Sequence, residues 1–263
     1  MSNEVVKYKN DLNKFSFSGL TETELDVIFA IFHKFKEKGQ TEIFFQTDEL
    51  KELIEYTRKD ISFDKYAFKT FSKIQSFKIE CRNPVNKVEL LSVVVFPIIT
   101  LNEKERYVKV TISPIIADYL NAIENNFTRF ELAEFVNLQS RYTKTLYRLL
   151  KQFRSTGWAQ FEWDEFKRLM GIPISYQMQN IDNQILKQSL KELQKPQDLF
   201  DSKRQPFTNL KYEKIKAKGR GRGGKVIGIK FTFDPISDPS DVPADFQLEP
   251  QTMADIERLN QSN

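Results

Sequence analysis

The stretch from Lys211 to Asp234, KYEKIKAKGRGRGGKVIGIKFTFD, constrains the fold most, because alternating apolar and polar residues flank a glycine-rich loop. Alternation is typical of β-strands, and the loop glycines permit a tight connection between two of them. The stretch therefore predicts a β-hairpin. Its apolar positions are Leu210, Tyr212 and Ile215 before the loop, and Val226, Ile227, Ile229, Phe231 and Phe233 after it.

The hairpin also concentrates positive charge. Residues 203–230 contain ten Lys or Arg and one acid, Glu213, a local charge of +9 in a chain whose net charge is +4. Glycine has no Cβ, so the loop backbone and its arginines can lie close to a phosphate backbone. A basic hairpin that follows a helical unit is typical of the wing of a winged helix. The predicted DNA contacts of this wing are Lys216, Lys218, Arg220, Arg222 and Lys225.

Two other interpretations of the loop compete with this one. Residues 219–225 fit the G-x-x-x-x-G-K spacing of a phosphate-binding P-loop. However, Val226 stands where a magnesium-binding Ser or Thr is needed, and a strand pattern follows where a helix should begin. This context disfavours nucleotide binding. The simpler alternative, a basic loop that is only solvated, stays open.

Composition excludes several classes of protein. The chain has 263 residues, 40% of them hydrophobic, which is enough for two globular domains. It has one cysteine, Cys81, and one histidine, His33, so we expect neither an internal disulfide nor a cysteine-rich zinc site. The N-terminal segment lacks an apolar signal core, and the longest apolar run, residues 93–99, is too short to span a bilayer. We therefore expect a cytoplasmic protein with no membrane partner, cofactor, metal site or catalytic residue.

The first half of the chain predicts a helical unit followed by strands. Thr21 and Glu24 fit a capping box at the start of a helix that ends near Gly39, and Thr47 is expected to cap a second helix. In a third helix, over residues 63–74, the outward lysines are either a recognition face or a solvated one. The inward set there is Phe68, Phe71 and Ile74, and the outward set is Lys65, Lys69, Ser72 and Lys73. Strands are predicted over residues 77–82, 88–99 and 107–112, with breaks at Asn83-Pro84 and Pro97, and a short helix over residues 113–123.

The same order of elements begins again at residue 140. A helix over residues 140–154 is predicted to turn its basic side chains outward. A helix capped by Asp164 and stopped by Gly171 then leads to a third helix over residues 181–195. The outward set of the first helix is Arg141, Lys144, Arg148, Lys151 and Arg154, and that of the third is Gln184, Lys187, Gln188, Lys191 and Lys195.

These outward side chains have the chemistry of a DNA reader. Glutamine can pair with adenine edges, and lysine can reach guanine acceptors or phosphates in the major groove. Cations of both units, including Arg141, Lys144 and Arg148, are expected to neutralise phosphates. The order of elements predicts an α+β fold of two tandem winged helix-turn-helix domains related by a pseudo-repeat. We expect these domains at residues 1–135 and 136–234, followed by an acidic, mostly disordered tail at 235–263.

The chain resembles the plasmid replication initiators of the Rep superfamily, which bind repeated origin sites (iterons) and drive theta replication. The resemblance covers about residues 10–234 and rests on TETELDVIF, YTKTLYRLLKQFRSTGWAQFEWDEFKRLMGIP, ILKQSLKEL and KIKAKGRGRGGKVIGIKF. It implies that the second domain makes the main contacts to direct repeats in double-stranded origin DNA, and that the first contributes to DNA binding in the monomer or to dimerisation. The implied elements are a recognition helix at residues 184–195, a wing at 216–225 and a first recognition helix at 65–73.

The resemblance also implies partners. A host initiator and the replicative helicase would be recruited to the opened origin, and a homodimer would exist in the DNA-free or repressor state. Initiators of this kind do not cut DNA themselves. One departure from the family is the wing, which is unusually rich in glycine and arginine here.

Two other functions are weighed against this one. A rolling-circle nicking enzyme commonly needs a pair of histidines beside a catalytic tyrosine, and this chain has only His33. Glu162, Asp164 and Glu165 could bind a metal in principle, but their place at a helix start explains them as caps and dipole partners. A winged-helix transcriptional repressor is the closer alternative, and it overlaps with an initiator that represses its own gene.

Overall fold

The computed structural model describes residues 4–57, 59, 62–82, 90–121, 123, 125–199, 202–217 and 224–235. Three predicted wing contacts, Lys218, Arg220 and Arg222, lie outside these residues. So does nearly all of the predicted acidic tail.

The first domain is a helical unit joined to a three-stranded antiparallel sheet. The sheet has the order β2–β6–β5, β1 pairs with β7, and β3 and β4 form a separate hairpin. A single 3-10 turn, Asn10–Lys14, follows β1. The helices are α1 (Glu22–Phe35), α2 (Thr47–Leu53), α3 (Phe63–Ser76), α4 (Pro114–Leu120) and α5 (Leu132–Val136). The strands are β1 (Val5–Lys9), β2 (Glu42–Gln46), β3 (Lys78–Arg82), β4 (Leu90–Val94), β5 (Ile98–Asn102), β6 (Tyr107–Thr111) and β7 (Phe127–Glu131).

The second domain repeats this arrangement. Its sheet has the order β8–β12–β11, and β9 pairs with β10 in a small hairpin. A π-helical segment, Ile181–Leu186, joins two of its helices. The helices are α6 (Arg141–Lys151), α7 (Trp163–Met170), α8 (Met178–Asn180) and α9 (Lys187–Leu193). The strands are β8 (Trp158–Glu162), β9 (Gln197–Leu199), β10 (Ser202–Arg204), β11 (Lys211–Lys216) and β12 (Val226–Thr232).

The two domains match element by element. Each has a first helix, a strand, a short second helix, a longer third helix, a small hairpin, and two strands of which the last pairs with the first. The predicted pseudo-repeat of winged helices is therefore confirmed. The basic hairpin predicted from the alternating sequence is present as β11 and β12, and β12 begins at Val226, where a P-loop would begin a helix.

The domains share one continuous hydrophobic core. A row of aromatic rings connects the two halves of this core. Phe130 packs edge-on against Tyr147 with ring centroids 5.2 Å apart, and the centroids of Tyr147 and Phe207 are 6.0 Å apart. Phe207 in turn packs on Phe233 at 4.8 Å. Because Phe130 belongs to β7 and Phe233 directly follows β12, packing in one domain supports packing in the other.

The basic face of α6 lies at this junction and is buried, which contradicts the prediction that it faces outward. Lys144 and Arg148 are 0% and 1% exposed. The Lys144 Nζ donates to Asp26 Oδ1 of α1 at 2.5 Å and to the carbonyls of Phe135 and Val136 at 2.8 and 3.0 Å. These three acceptors satisfy an ammonium group completely. Burial raises the pKa of Asp26 to about 7 and lowers the pKa of Lys144, and the charge of each partner opposes the shift of the other.

Two neighbouring cations of α6 also have partners in the first domain, although those of Arg148 are neutral and its Nε has none among the described residues. Arg148 donates to Asn13 Oδ1 and to the carbonyl of Phe15, both at 2.9 Å. Lys151 forms an ion pair with Glu134 at 2.7 Å, and Glu134 also accepts a hydrogen bond from Tyr147. The acids that α6 lacks are thus supplied by α1 and α5, and the cations hold the two domains together.

Several local predictions need correction. Thr47 is the first residue of α2, and Gln46 occupies the cap position; Glu162 replaces Asp164 as the cap of α7. By contrast, the break predicted at Pro97 is confirmed, because β4 and β5 lie on either side of that proline. The helix predicted to reach residue 154 ends at Lys151, and the one predicted to reach residue 123 ends at Leu120. The capping box of Thr21 and Glu24 is confirmed.

Removing the cation of the buried pair should destabilise the protein strongly. We expect Lys144→Met to lower the free energy of unfolding by about 3–5 kcal/mol, because it leaves the Asp26 carboxyl buried without its partner. Urea denaturation at pH 7 measures this. As the control, Asp48→Asn breaks the exposed pair between Asp48 and Arg106 (2.7 Å) and should cost at most about 1 kcal/mol. Equal losses in the two variants would contradict the role given to the pair.

A glycine at the domain junction gives a second test. Gly171 ends α7 with φ +60°, and a Cβ there would lie 2.5 Å from Ser18 Cβ of the first domain. Gly39 has φ +63°, and a Cβ there would project into open space. Both alanine variants bear the left-handed backbone cost of about 1–2 kcal/mol. We expect Gly171→Ala to lose about 1–3 kcal/mol more, because only it forces the domains apart. Thermal unfolding of the two variants side by side checks this difference.

Candidate nucleic-acid interface

The third helix of the second domain, residues 178–193, presents one polar face to solvent. It consists of α8, the π-helical segment and α9 in unbroken succession. Ile185, Leu186 and Leu193 are buried, and they fix which side of the helix packs on the core. The predicted outward side chains are all exposed, and the face that they form is called here the second reading face. Its members are Gln184, Lys187, Gln188, Lys191 and Lys195.

This helix is tied to the wing by a polar contact that sequence reasoning missed. Asp182 accepts a hydrogen bond from the Tyr212 hydroxyl of β11 at 3.1 Å and forms an ion pair with Lys214 of the same strand. Partial burial and the Asp182 charge raise the pKa of Tyr212 to about 12. The alternation of Tyr212 and Lys214 along β11 was the available signal, since it puts both on one face of the strand. The contact joins the third helix directly to the first strand of the wing.

The base of the wing carries exposed cations. Lys216 at the end of β11 and Lys225 before β12 are both exposed. The Ala217 N–H donates to the Lys225 carbonyl at 2.8 Å and extends the ladder past the strand ends. A bulge between Ile215 and Lys216 twists β11 at this point. The structure therefore brings two of the five predicted wing cations to the same end of the hairpin.

The carboxylates at the start of α7 act within the helix. Glu162 accepts from the Glu165 N–H at 2.7 Å as the cap. Asp164 pairs with Lys167 and Glu165 with Arg168, each at 2.6 Å, and these partners lower the pKa of both acids. Their positions in the first turn explain them as cap and dipole partners.

The third helix of the first domain, α3, also presents a polar face, but its apolar side differs from the prediction. Tyr66, Ala67, Thr70, Phe71 and Ile74 are buried. Phe68, predicted to face the core, is 67% exposed, because it lies about 60° from Phe71 around the helix, toward the lysines. The exposed side chains Lys65, Phe68, Lys69 and Ser72 are called here the first reading face.

The other described side chains predicted to contact DNA are paired or buried within the protein. Lys73 of α3 is exposed, but its Nζ pairs with Glu24 at 2.9 Å. Arg141 is half-buried, stacks on the Tyr142 ring 4.4 Å from its centroid, and donates to the Tyr142 hydroxyl at 2.7 Å. Lys144 and Arg148 are buried in the domain junction and so cannot reach a phosphate without breaking it.

The sequence of this chain matches known proteins over both domains. A family model described as "Initiator Replication protein, WH1" matches residues 5–151, and one described as "Initiator Rep protein, WH2" matches residues 162–233. The "Probable replication protein rep" of Bifidobacterium longum (strain NCC 2705) is 29% identical over 254 residues, which cover 93% of this chain and 78% of that protein.

A solved structure supports the fold. The "Crystal structure of Pi initiator protein in complex with iteron DNA" matches 90% of this chain and 100% of that chain, with a TM-score of 0.63 and 16% identity. At this identity the match speaks for the arrangement of the two domains and not for individual residues. Within the described part of the chain, the helices are all too short or too polar to cross a bilayer.

The tie between helix and wing leads to a prediction about stability. Asp182→Ala should lower the free energy of unfolding by about 1–3 kcal/mol, because it leaves the Lys214 ammonium and the Tyr212 hydroxyl without their common acceptor. It should also speed hydrogen exchange of the β11 amides. The control is Asn183→Ala, which removes only the exposed hydrogen bond to Lys187 (2.9 Å) and should change stability by less than about 0.5 kcal/mol. If β11 exchange is the same in both variants, Asp182 does not hold the wing.

Proposed function

This chain belongs to the initiator replication protein family, and from that premise we propose that it binds repeated double-stranded DNA sites at a plasmid origin. Both winged-helix models of the family match, and together they span most of the chain. The observation that carries the proposal is the pair of exposed reading faces, which occupy the same element of two matching domains.

The second reading face is suited to reading base edges. Gln184 and Gln188 lie one helical turn apart, and an amide at each position can pair with adenine N6 and N7. Lys187 and Lys191 repeat the same spacing and can reach guanine acceptors or phosphates. A third helix in the major groove is the docking mode expected of a helix-turn-helix.

Phosphate contacts would come from the ends of the same elements. Lys195 follows the third helix, and Lys216 and Lys225 lie at the wing, so positive charge flanks the reading face on both sides. The remaining wing cations, Lys218, Arg220 and Arg222, add to this charge in the sequence. In the first domain, Lys65 and Lys69 offer the corresponding contacts. Binding of this kind weakens steeply with salt.

One solved structure supports the choice of iteron DNA as the ligand. The Pi initiator protein was crystallised in complex with iteron DNA, and its chain matches this one over both domains. We infer that this chain also binds iterons. Several copies on adjacent repeats would bend the DNA, and the energy of those contacts would help to open a neighbouring A·T-rich segment. The host initiator and the replicative helicase would then be recruited, and a homodimer would form in the DNA-free or repressor state.

Footprinting on the DNA that flanks the gene tests the proposal. The wild-type protein should protect several direct repeats, and more weakly at higher salt. Changing Lys187, Gln188 and Lys191 to Ala should abolish or relax protection, at a cost of about 1–3 kcal/mol for each interaction with a base that is removed. The matched control changes Lys14, Lys38 and Gln40 to Ala, which removes the same charge from exposed positions outside the reading faces and wings, and it should protect the repeats as the wild type does.

The pattern of protection distinguishes the remaining functions. Protection of a single inverted repeat would favour a transcriptional repressor. No protection at either salt concentration would refute DNA binding at these sites. A control variant that fails as badly as the reading-face variant would mean that net charge, and not the second reading face, governs binding.

A further inference from the structure

The first reading face contains an apolar side chain, Phe68, whereas every side chain of the second reading face is polar. Single exposed apolar side chains are common on protein surfaces, so exposure alone explains nothing. The position of Phe68 is what matters. It lies in the middle of α3, a 14-residue helix, with Lys65, Lys69 and Ser72 around it on the exposed side.

The burial patterns of the two third helices align them residue by residue. Along α3, successive buried residues are one, three, one and three positions apart. The third helix of the second domain has the same spacing, and the fourth of its five residues is half-buried. The aligned buried positions are Tyr66, Ala67, Thr70, Phe71 and Ile74 with Ile185, Leu186, Ser189, Leu190 and Leu193. This alignment fixes the correspondence of the exposed side chains as well.

On this alignment the two reading faces coincide. Lys65 corresponds to Gln184, Lys69 to Gln188 and Ser72 to Lys191. Phe68 corresponds to Lys187, near the centre of the second reading face. An apolar ring therefore stands where the other domain has an exposed lysine. Both side chains lie well inside their helices, so each would enter a groove together with the face around it.

From this position, and resting on the proposed function, we propose that Phe68 is a specificity-determining residue that contacts the C5-methyl group of a thymine in the major groove. The thymine methyl is the one apolar group that a base pair of unmodified DNA presents there, and phenylalanine is among the side chains that contact it. Phe68 thus selects a T·A pair within the half of the site that the first domain covers.

The charges beside Phe68 favour DNA over a second copy of the chain as its partner. Lys65 and Lys69 flank the ring, and the exposed set carries no acid. Two such faces brought together would place like charges opposite each other, which disfavours association. A phosphate backbone neutralises both lysines while the ring reaches the base edge.

Uracil substitution tests the contact, because uracil differs from thymine only by this methyl group. The probe is a duplex that the wild-type protein itself selects from a random-sequence pool, with each thymine replaced in turn by deoxyuridine. Wild-type affinity should fall about three- to five-fold at one or two particular thymines, the loss expected for one buried methyl group. Phe68→Ala should bind the unmodified duplex more weakly and lose nothing further at those positions.

Two controls keep the outcome clear. Lys216→Ala should bind more weakly overall yet keep the full uracil sensitivity, because it removes a phosphate contact at the wing and leaves the first reading face unchanged. Phe68→Ala should unfold within a few degrees of the wild type, since the ring is 67% exposed. A wild type indifferent to uracil at every position, or a Phe68→Ala variant that is as sensitive as the wild type, would overturn the proposal.

The remaining outcomes separate this proposal from the one on which it rests. If the wild type selects no duplex, DNA binding itself fails and the thymine contact with it. If it selects a duplex but uracil has no effect, only the thymine contact fails. Sedimentation velocity without DNA tests whether Phe68 instead holds two copies of the chain together. If the wild type is a dimer and Phe68→Ala is a monomer, the ring is a contact between copies and the proposal is wrong.

Discussion

The structure depends on the burial of a row of cations along α6. A cation taken out of water costs several kcal/mol unless acceptors replace its hydration. Each cation here has acceptors in the first domain, although the Nε of Arg148 has none among the described residues. Lys144 reaches α1, Arg148 reaches the segment before α1, and Lys151 reaches α5. Apolar packing alone would tolerate small rotations of one domain against the other. The directional contacts restrict such rotations, because they tie α6 to three segments of the first domain.

The position of α6 also explains why the boundary between the two family models differs from the boundary between the two structural repeats. By its place in the repeat, α6 is the first helix of the second domain, but the match to the WH1 model extends to residue 151, the end of this helix. The helix contributes to both units at once. A boundary drawn along the sequence therefore assigns α6 to one domain, although its side chains complete the core of the other.

Local patterns in the sequence predicted the elements well and their partners poorly. The hairpin of β11 and β12, the capping box of α1 and the polar side of the third helix in the second domain all follow from residues close together in the chain. The burial of Lys144 does not, because its partner Asp26 is 118 residues away. In the sequence, a row of basic residues on a helix without acids looks the same whether water or a carboxylate far along the chain binds the cations. The prediction for Phe68 failed for a related reason: a wheel gives the direction of a side chain, and only the packed structure shows where the core ends.

For the candidate site, too, the sequence predicted the exposed side chains but not the contacts that hold them in place. The exposed glutamines and lysines of the second domain could be identified from helical spacing, whereas the Asp182 contact to Tyr212 and Lys214 depends on how helix and strand meet. Such contacts are fixed by tertiary structure. They also determine whether a set of side chains is presented rigidly, which matters as much for recognition as the identity of the side chains.

The hairpin of β5 and β6, which takes the place of a wing in the first domain, differs in charge from the wing of the second domain. The turn between β5 and β6 carries Glu103, Lys104, Glu105 and Arg106, which cancel, whereas the hairpin of the second domain is strongly basic. Counterion release therefore acts mainly on the second domain. At low salt that domain would bind the phosphates of almost any duplex and move along it until its reading face meets a matching site. The first domain, with a neutral hairpin and an apolar side chain on its reading face, would gain less from phosphate contacts. The second domain would then both speed the encounter with DNA and read part of the site, whereas the first domain would add mainly to its selectivity.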